Sequence, residues 1–188
     1  VSMLLRLSVP NSSEDAVQPA PDPKYGYQLQ DKAIKGHAAE GKIHIAYTDL
    51  PVTLAGGAVV TLRQPTYRIE NPSYGKPHAN LMVSPRVAPQ LIGLGLLEAI
   101  PSKEILARAD PGDRDNDMIS GRANLVWSSE QNKVILGRFG WKAGQPTLHL
   151  QSAQAFSRNM GMSTTFFRKP SGDCTTVQTG CRIAPNGN

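Results

Sequence analysis

The sequence predicts a mixed α+β fold of short helices and β-hairpins joined by many loops. Three observations lead there. Its 188 residues include 15 prolines and 17 glycines, which punctuate the chain too often for long helices. Runs of alternating apolar and polar residues recur between turn signals, as half-buried strands require. Helical periodicity, by contrast, is confined to short windows. At this length the chain is about one domain's worth and can bury a sizeable core.

In chain order, residues 8–23, "SVPNSSEDAVQPAPDP", are polar and proline-rich and read as a surface loop or linker. "YGYQLQDKAIKG" predicts a short helix within 26–35. Three strand-like runs follow, around 42–48, 58–63 and 66–70, with Pro65 separating the last two. In 88–99, Ala88, Leu91, Ile92, Gly95, Leu96 and Ala99 recur at helical spacing. Leu94 and Leu97 lie off that stripe, so this helix is apolar nearly all round and is expected to be deeply buried. Pro101 ends it, and Ser102 fits as the N-cap of a second helix, "KEILARA". "RANLVWSSEQNKVILGRFGW" reads as a hairpin with strands near 122–127 and 133–138, turned by "SSEQN". A last helix, 147–159, sets Leu148, Ser152, Phe156 and Met160 along one side. From residue 168 onward the chain reads as irregular.

Charge is unevenly distributed. The first 121 residues hold 12 Lys/Arg and 13 Asp/Glu, whereas residues 122–188 hold 8 against 2. Such a basic segment suits acidic surfaces or a polyanionic cofactor. Nucleic acid is disfavoured, because the chain has no long basic run, no helix-turn-helix pattern and no RNP-like aromatic strand. The longest apolar stretch, "LIGLGLL", is far short of the roughly 20 residues of a transmembrane helix. The opening "VSMLLRLSVP" lacks an ordered signal peptide and reads as a processed or excised segment. Cys174 and Cys181, in "CTTVQTGC", are too far apart for a CxxC redox pair and too few for a zinc site. A short-loop disulfide, implying an oxidising compartment, and two free thiols both stay open.

Four constellations carry chemical interest. Asp113, Asp115 and Asp117, in "DRDNDMISGR", alternate like the first three ligands of a calcium loop. Met118 stands where such a loop has glycine, and Asn124 stands where it has a bidentate carboxylate; a solvated acidic turn is the alternative. Glu98 is the one charge between Val87 and Ser102, at the C-terminal end of an apolar helix. Burial there would suit it to proton transfer, whereas a solvent-facing carboxylate or one paired with Arg86 would have no such role. Met160 and Met162, in "RNMGMS", are either packing residues or, for a thioether, a haem axial ligand. Finally, "LGRFGWKA" at 136–143 crowds Arg138, Trp141 and Lys142 together, for a packed corner or for a bound anionic cofactor. His37, His44, His78 and His149 form no tight metal pair, and no GxSxG or local Cys-His arrangement is present.

These stretches together resemble one family, the bacterial di-haem oxidoreductases, also described as thiol oxidoreductases or di-haem peroxidases of the cytochrome c type. The likeness begins at "DPKYGYQLQDKAIKG" and includes "LRQPTY". It is strongest in "SPRVAPQLIGLGLLEAIP", "DRDNDMISGRAN" and "LGRFGWKAGQPTLHLQSAQAFSRNMGM", and "CTTVQTGC" closes it. Order and spacing agree over residues 22–181. The chain departs from the family pattern in three places. It has "DNDMISGR" for DGDGISGR, Asn159 for an aspartate before the methionine, and no CxxCH anywhere.

The resemblance implies a cytochrome c peroxidase-like core segment lying between two haem-attachment motifs, with 1–188 either a single domain or part of a larger di-haem protein. It implies a periplasmic or cell-envelope oxidoreductase that moves electrons and reduces a peroxide, with haem c supplied by flanking domains or partner chains and a redox partner protein. In that setting Arg138, Lys142 and Arg86 would neutralise haem propionates. Trp141 would stack at a haem edge or relay electrons, Met160 would be an axial ligand, and Glu98 a distal acid. The competing class is a haem-free interaction or scaffold domain that keeps the family fold. A third is a calcium-stabilised binding module held by Asp113, Asp115 and Asp117.

Overall fold

A computed structural model describes residues 3–11, 20–88, 90 and 92–184. They divide into two compact units. The first lies within Val1–Arg86 and is completed by Asp173–Ala184; the second is Val87–Gly172. Along the chain run β1 (Met3–Ser8), β2 (Lys42–Thr53), β3 (Val59–Glu70), β4 (Met82–Val87), α1 (Leu94–Ala99), α2 (Ser102–Leu106), β5 (Leu125–Ser128), β6 (Lys133–Leu136), α3 (Leu148–Met160) and α4 (Thr179–Ile183). The strands pair two by two, β1 with β4, β2 with β3 and β5 with β6. The fold is therefore mixed, with short helices and small sheets, as the sequence predicts.

In the first unit, Leu5, Leu7, Tyr25 and Leu29 form a buried core, flanked by Ile43, Tyr67, Ile69, Tyr74 and Leu81. Leu5, Leu7 and Val9 alternate along β1 and its continuation, so one face of this strand is apolar and faces inward. The helix expected within 26–35 does not form. Asp22 captures the N–H groups of Lys24 and Tyr25 in a turn, and Gly26 follows at φ +67°. Residues 27–29 then run beside β1, with Leu7 N–H on Tyr27 O and Leu29 N–H on Leu5 O. Pairing with an apolar strand has outcompeted a weak local helical preference. Of the expected 8–23 loop, residues 12–19 lie outside the described residues, and Val9 and Ala20 on either side pair with each other.

β2 and β3 form one long antiparallel ribbon, from Lys42 opposite Glu70 to Thr53 opposite Val59. Pro65 does not interrupt it but lies opposite Tyr47. In a two-stranded ribbon alternate residues turn their N–H away from the partner, so a proline there forfeits no ladder bond. Near the base, Ile43, Tyr67 and Ile69 face the core. Further out, Leu50, Val60 and Leu62 belong to the opposite face and are exposed. A cation–π contact of Arg63 with Tyr47, at 4.7 Å, braces the first face.

In the second unit, Val126, Leu136, Phe139, Leu150 and Ala153 are buried. The expected hairpin is present, Leu125–Ser128 pairing with Lys133–Leu136. α3 forms as expected, because Thr147 accepts the Leu150 N–H at its start and Gly161, at φ 68°, closes its end. Its buried residues are Leu150, Ala153 and Ser157, while the side carrying Phe156 and Met160 is exposed. The helix expected over 88–99 is shorter, Leu94–Ala99, with Pro89 and Leu91 outside the described residues. It is not deeply buried: Leu96 is 79% exposed. Pro101, not Ser102, occupies the N-cap position of α2, with no side-chain cap bond, and Ser102 is the helix's first residue. The chain after 168 is not wholly irregular, since Thr179–Ile183 forms a short helix.

Candidate functional site

The "GRFGWKA" corner is a compact loop stitched by its own backbone. Arg138 and Phe139 donate N–H groups to Gln145 O, and Gln145 donates back to Phe139 O. Asn124 reaches across with its amide, donating to Lys142 O at 2.8 Å and to Ala143 O at 3.2 Å. Gly140 at φ 79° and Ala143 at φ 48° supply the left-handed turns. Gly137 is required for a different reason: a Cβ there would lie 1.8 Å from Ala143 O. The loop thus buries Phe139 while leaving Trp141 61% exposed. The Trp141 indole N–H donates to Val87 O at 2.7 Å, which fixes one edge of the ring.

Arg138 turns toward the end of α1. Its guanidinium donates to the carbonyls of Leu97, Glu98 and Ile100 and to Ser102 Oγ. A cation here satisfies carbonyls left open at a helix C-terminus and complements the helix dipole. Glu98 is exposed rather than buried, and its carboxylate accepts the Leu148 N–H at 2.8 Å, at the first turn of α3. A second carboxylate meets the same helix end: Glu130 accepts the Thr147 hydroxyl and lies 3.1 Å from His149 Nδ1. Hydrogen bonds from His149 and Thr147 hold Glu130 below the ordinary carboxylate range. His149 in turn meets Phe166 edge-on at 5.0 Å.

Lys142 and Met160 are exposed, Met160 by 63% at the last position of α3. Arg86, in the first unit, donates from Nε to Ser84 Oγ at 2.9 Å. The described residues of the second unit also expose Ile92 by 91% and Phe156 by 43%. Of the sequence-picked residues, Arg138 and Glu98 meet at α1, and Trp141 and Lys142 share the corner loop. Glu130, Thr147, His149 and Asn124 complete this arrangement. No sequence motif marks them, apart from the threonine that precedes a helix and so signals a cap.

Asp113, Asp115 and Asp117 do converge, their nearest ligand atoms all within 4.8 Å of one another. The curl is made without the glycine. Met118 takes φ 67°, the left-handed geometry that glycine supplies at least cost, and Asp113 and Asn116 are left-handed too. Asp113 accepts the Met118 N–H, Asp115 the Asp117 N–H and Asp117 the Ile119 N–H, so each of the three carboxylates has one oxygen committed to the loop.

A third constellation went unread in the sequence. Glu40 is buried, accepting the Gln30 N–H on one oxygen and the Gln178 amide on the other. Burial, reinforced by Asp173 and Asp22 and opposed by the two hydrogen bonds, pushes its carboxyl up to about 7. Gln178 lies inside the loop closed by the Cys174–Cys181 disulfide.

Compared with known proteins, residues 9–182 match the family model described as "Di-haem oxidoreductase, putative peroxidase". No curated protein and no solved structure matches the chain.

Proposed function

The chain belongs to the di-haem oxidoreductase family, and on that premise we propose that it forms part of a c-type di-haem redox protein that transfers electrons and reduces a peroxide. The family match over 9–182 carries this reading. A periplasmic or cell-envelope location and a redox partner protein belong to the same proposal, as does a cytochrome c peroxidase-like core. No described helix is long and apolar enough to cross a membrane.

The exposed residues of the second unit suit the edge of a haem. Trp141 and Met160 offer apolar and polarisable surface, and Lys142 offers a cation for a propionate. Without a CxxCH motif in the 188 residues, covalent attachment falls to flanking sequence or to a partner chain. Haem, when bound, supplies the one-electron chemistry. The chain's own contribution is positional. Asn124 and Gly137 fold the corner so that the Trp141 ring stands outward with its N–H fixed on Val87. Arg138 completes the carbonyls of α1 from the same loop, and as a haem-facing cation it would act with that guanidinium already anchored. Glu98, holding the Leu148 N–H, has its carboxylate set at a helix N-terminus, where a distal acid would have to exchange that bond for a substrate proton.

An absorption spectrum of natively purified material, with a haem stain on a denaturing gel, tests the reading. A Soret band is expected, with stain on a longer chain or on a partner. The absence of any Soret band would instead favour a haem-free scaffold that keeps the family fold, the reading supported by the missing CxxCH and by the structural engagement of Arg138.

Asp113, Asp115 and Asp117 are proposed to hold a calcium ion, their three carboxylates supplying part of the six to eight oxygens that calcium takes. Chelation is expected to lower Tm, and Asp115→Ala to remove that sensitivity; an unchanged Tm on chelation would leave the cluster a solvated acidic turn.

A further inference from the structure

The segment Asp173–Ile183 crosses back to the first unit and is sewn to residues 22–40 at four points. The Asp173 carboxylate accepts the Tyr27 N–H at 2.9 Å, and the Thr175 hydroxyl donates to Lys24 O at 2.8 Å. The Gln178 side chain, 1% exposed, donates its amide N–H to buried Glu40, and its oxygen accepts the Thr175 N–H. Gly26 packs so closely on Asp173 that a Cβ would lie 2.9 Å from its carbonyl oxygen. Both ends of the Gln178 loop are fixed by one covalent bond, Cys174–Cys181, whose second cysteine is exposed. The loop therefore places one buried amide against one buried carboxyl and is closed by a bond within reach of solvent.

We propose that the Cys174–Cys181 disulfide is a redox latch, whose reduction by an external dithiol withdraws Gln178 from Glu40 and loosens residues 22–40. Two electrons and two protons from the dithiol open the S–S bond, leaving two thiols on this chain and a disulfide on the reductant. Two features give the latch its reach. The bonds of Gln178 with Thr175, side-chain oxygen to N–H and N–H to carbonyl, lie within the eight-residue loop itself, so they do not tie Gln178 to Glu40 once the loop's ends are free to move apart. And among the described residues the Glu40 carboxyl has two donors, so losing Gln178 leaves one buried oxygen unmatched, under the influence of the Asp173 and Asp22 charges. Glu40 also holds Gln30 reciprocally, its own N–H bonded to Gln30 O, so the disturbance passes directly into the 22–40 segment.

Residue-resolved amide exchange on the full chain, oxidised and then treated with a dithiol, tests this. Reduction is expected to accelerate exchange at Tyr27 and Gln30 about tenfold or more while leaving the Ile43–Ile69 region of the ribbon unchanged, and reoxidation should restore protection. Gln178→Ala in the oxidised chain should accelerate Gln30 with the disulfide intact. The latch is overturned if both thiols form with Tyr27 and Gln30 still protected, or if the ribbon loses protection equally, which would make the disulfide a global staple. Resistance of the disulfide to excess dithiol would overturn it as well.

Discussion

Gly137→Ala is expected to destabilise the second unit by about 3 kcal/mol or more, lowering Tm on the order of 10 °C. The reason is steric and local. The added methyl would stand 1.8 Å from Ala143 O and 3.3 Å from Asn124 O, both backbone atoms. No side-chain rotation relieves such a contact, so either the 137–145 loop opens or its bonds to Asn124 break. The Asn124 amide and the Gln145 ladder then lose their partners together, and buried Phe139 loses its lid. Trp141 should move too, since its ring is carried by that loop, and its fluorescence, read in a Trp127→Phe background, is a local probe. A melting curve coincident with that of the unmodified chain would show that the close approach of 137 and 143 is not maintained in solution.

The second large effect concerns pH. Glu40 titrates at about 7 in the folded chain against an ordinary value of 4.5. Its folded value is raised, so the stabilisation linked to its bound proton is complete below pH 4.5 and lost as pH rises through 7. Across that window the unfolded chain binds fewer protons than the folded one. At 1.36 kcal/mol per unit, the expected loss is about 3 kcal/mol between pH 4.5 and 7, with no further change above. Measured as the difference between the unmodified chain and Glu40→Gln, the loss isolates this group from other carboxylates whose stability terms run the opposite way. Parallel stability–pH curves for the two proteins would show that Glu40 is not buried as described.

How much of this could be read beforehand depended on where the signals were local. The hairpin at 125–136 and α3 were legible because alternation, a threonine cap and a closing glycine lie within a few residues of one another. The ribbon was misjudged at Pro65, because proline's cost depends on whether its missing N–H would have faced a partner, and a single strand does not show that. β1 was overlooked although Leu5, Leu7 and Val9 alternate plainly, its partner lying far away at 82–87. The same limit applied to the candidate site. Arg138, Trp141 and Glu98 stood out by residue type, but their bonds to α1, Val87 and Leu148 span 40 to 54 positions. Glu40 and Gln178 were invisible as a pair because 138 positions separate them.

That interleaving also sets an order of assembly during synthesis. Tyr27, Lys24 and Glu40 receive their partners from residues 146, 151 and 138 positions later. While a ribosome extends the chain, the intervening Val87–Gly172 unit is complete before the first unit can close. Residues 22–40, though made earlier, are therefore among the last to finish, the Glu40 carboxyl lacking its Gln178 donor until then. Long-range closure of this kind slows folding, and Cys174 and Cys181 stay open to an oxidising enzyme until the Asp173–Ile183 segment has docked.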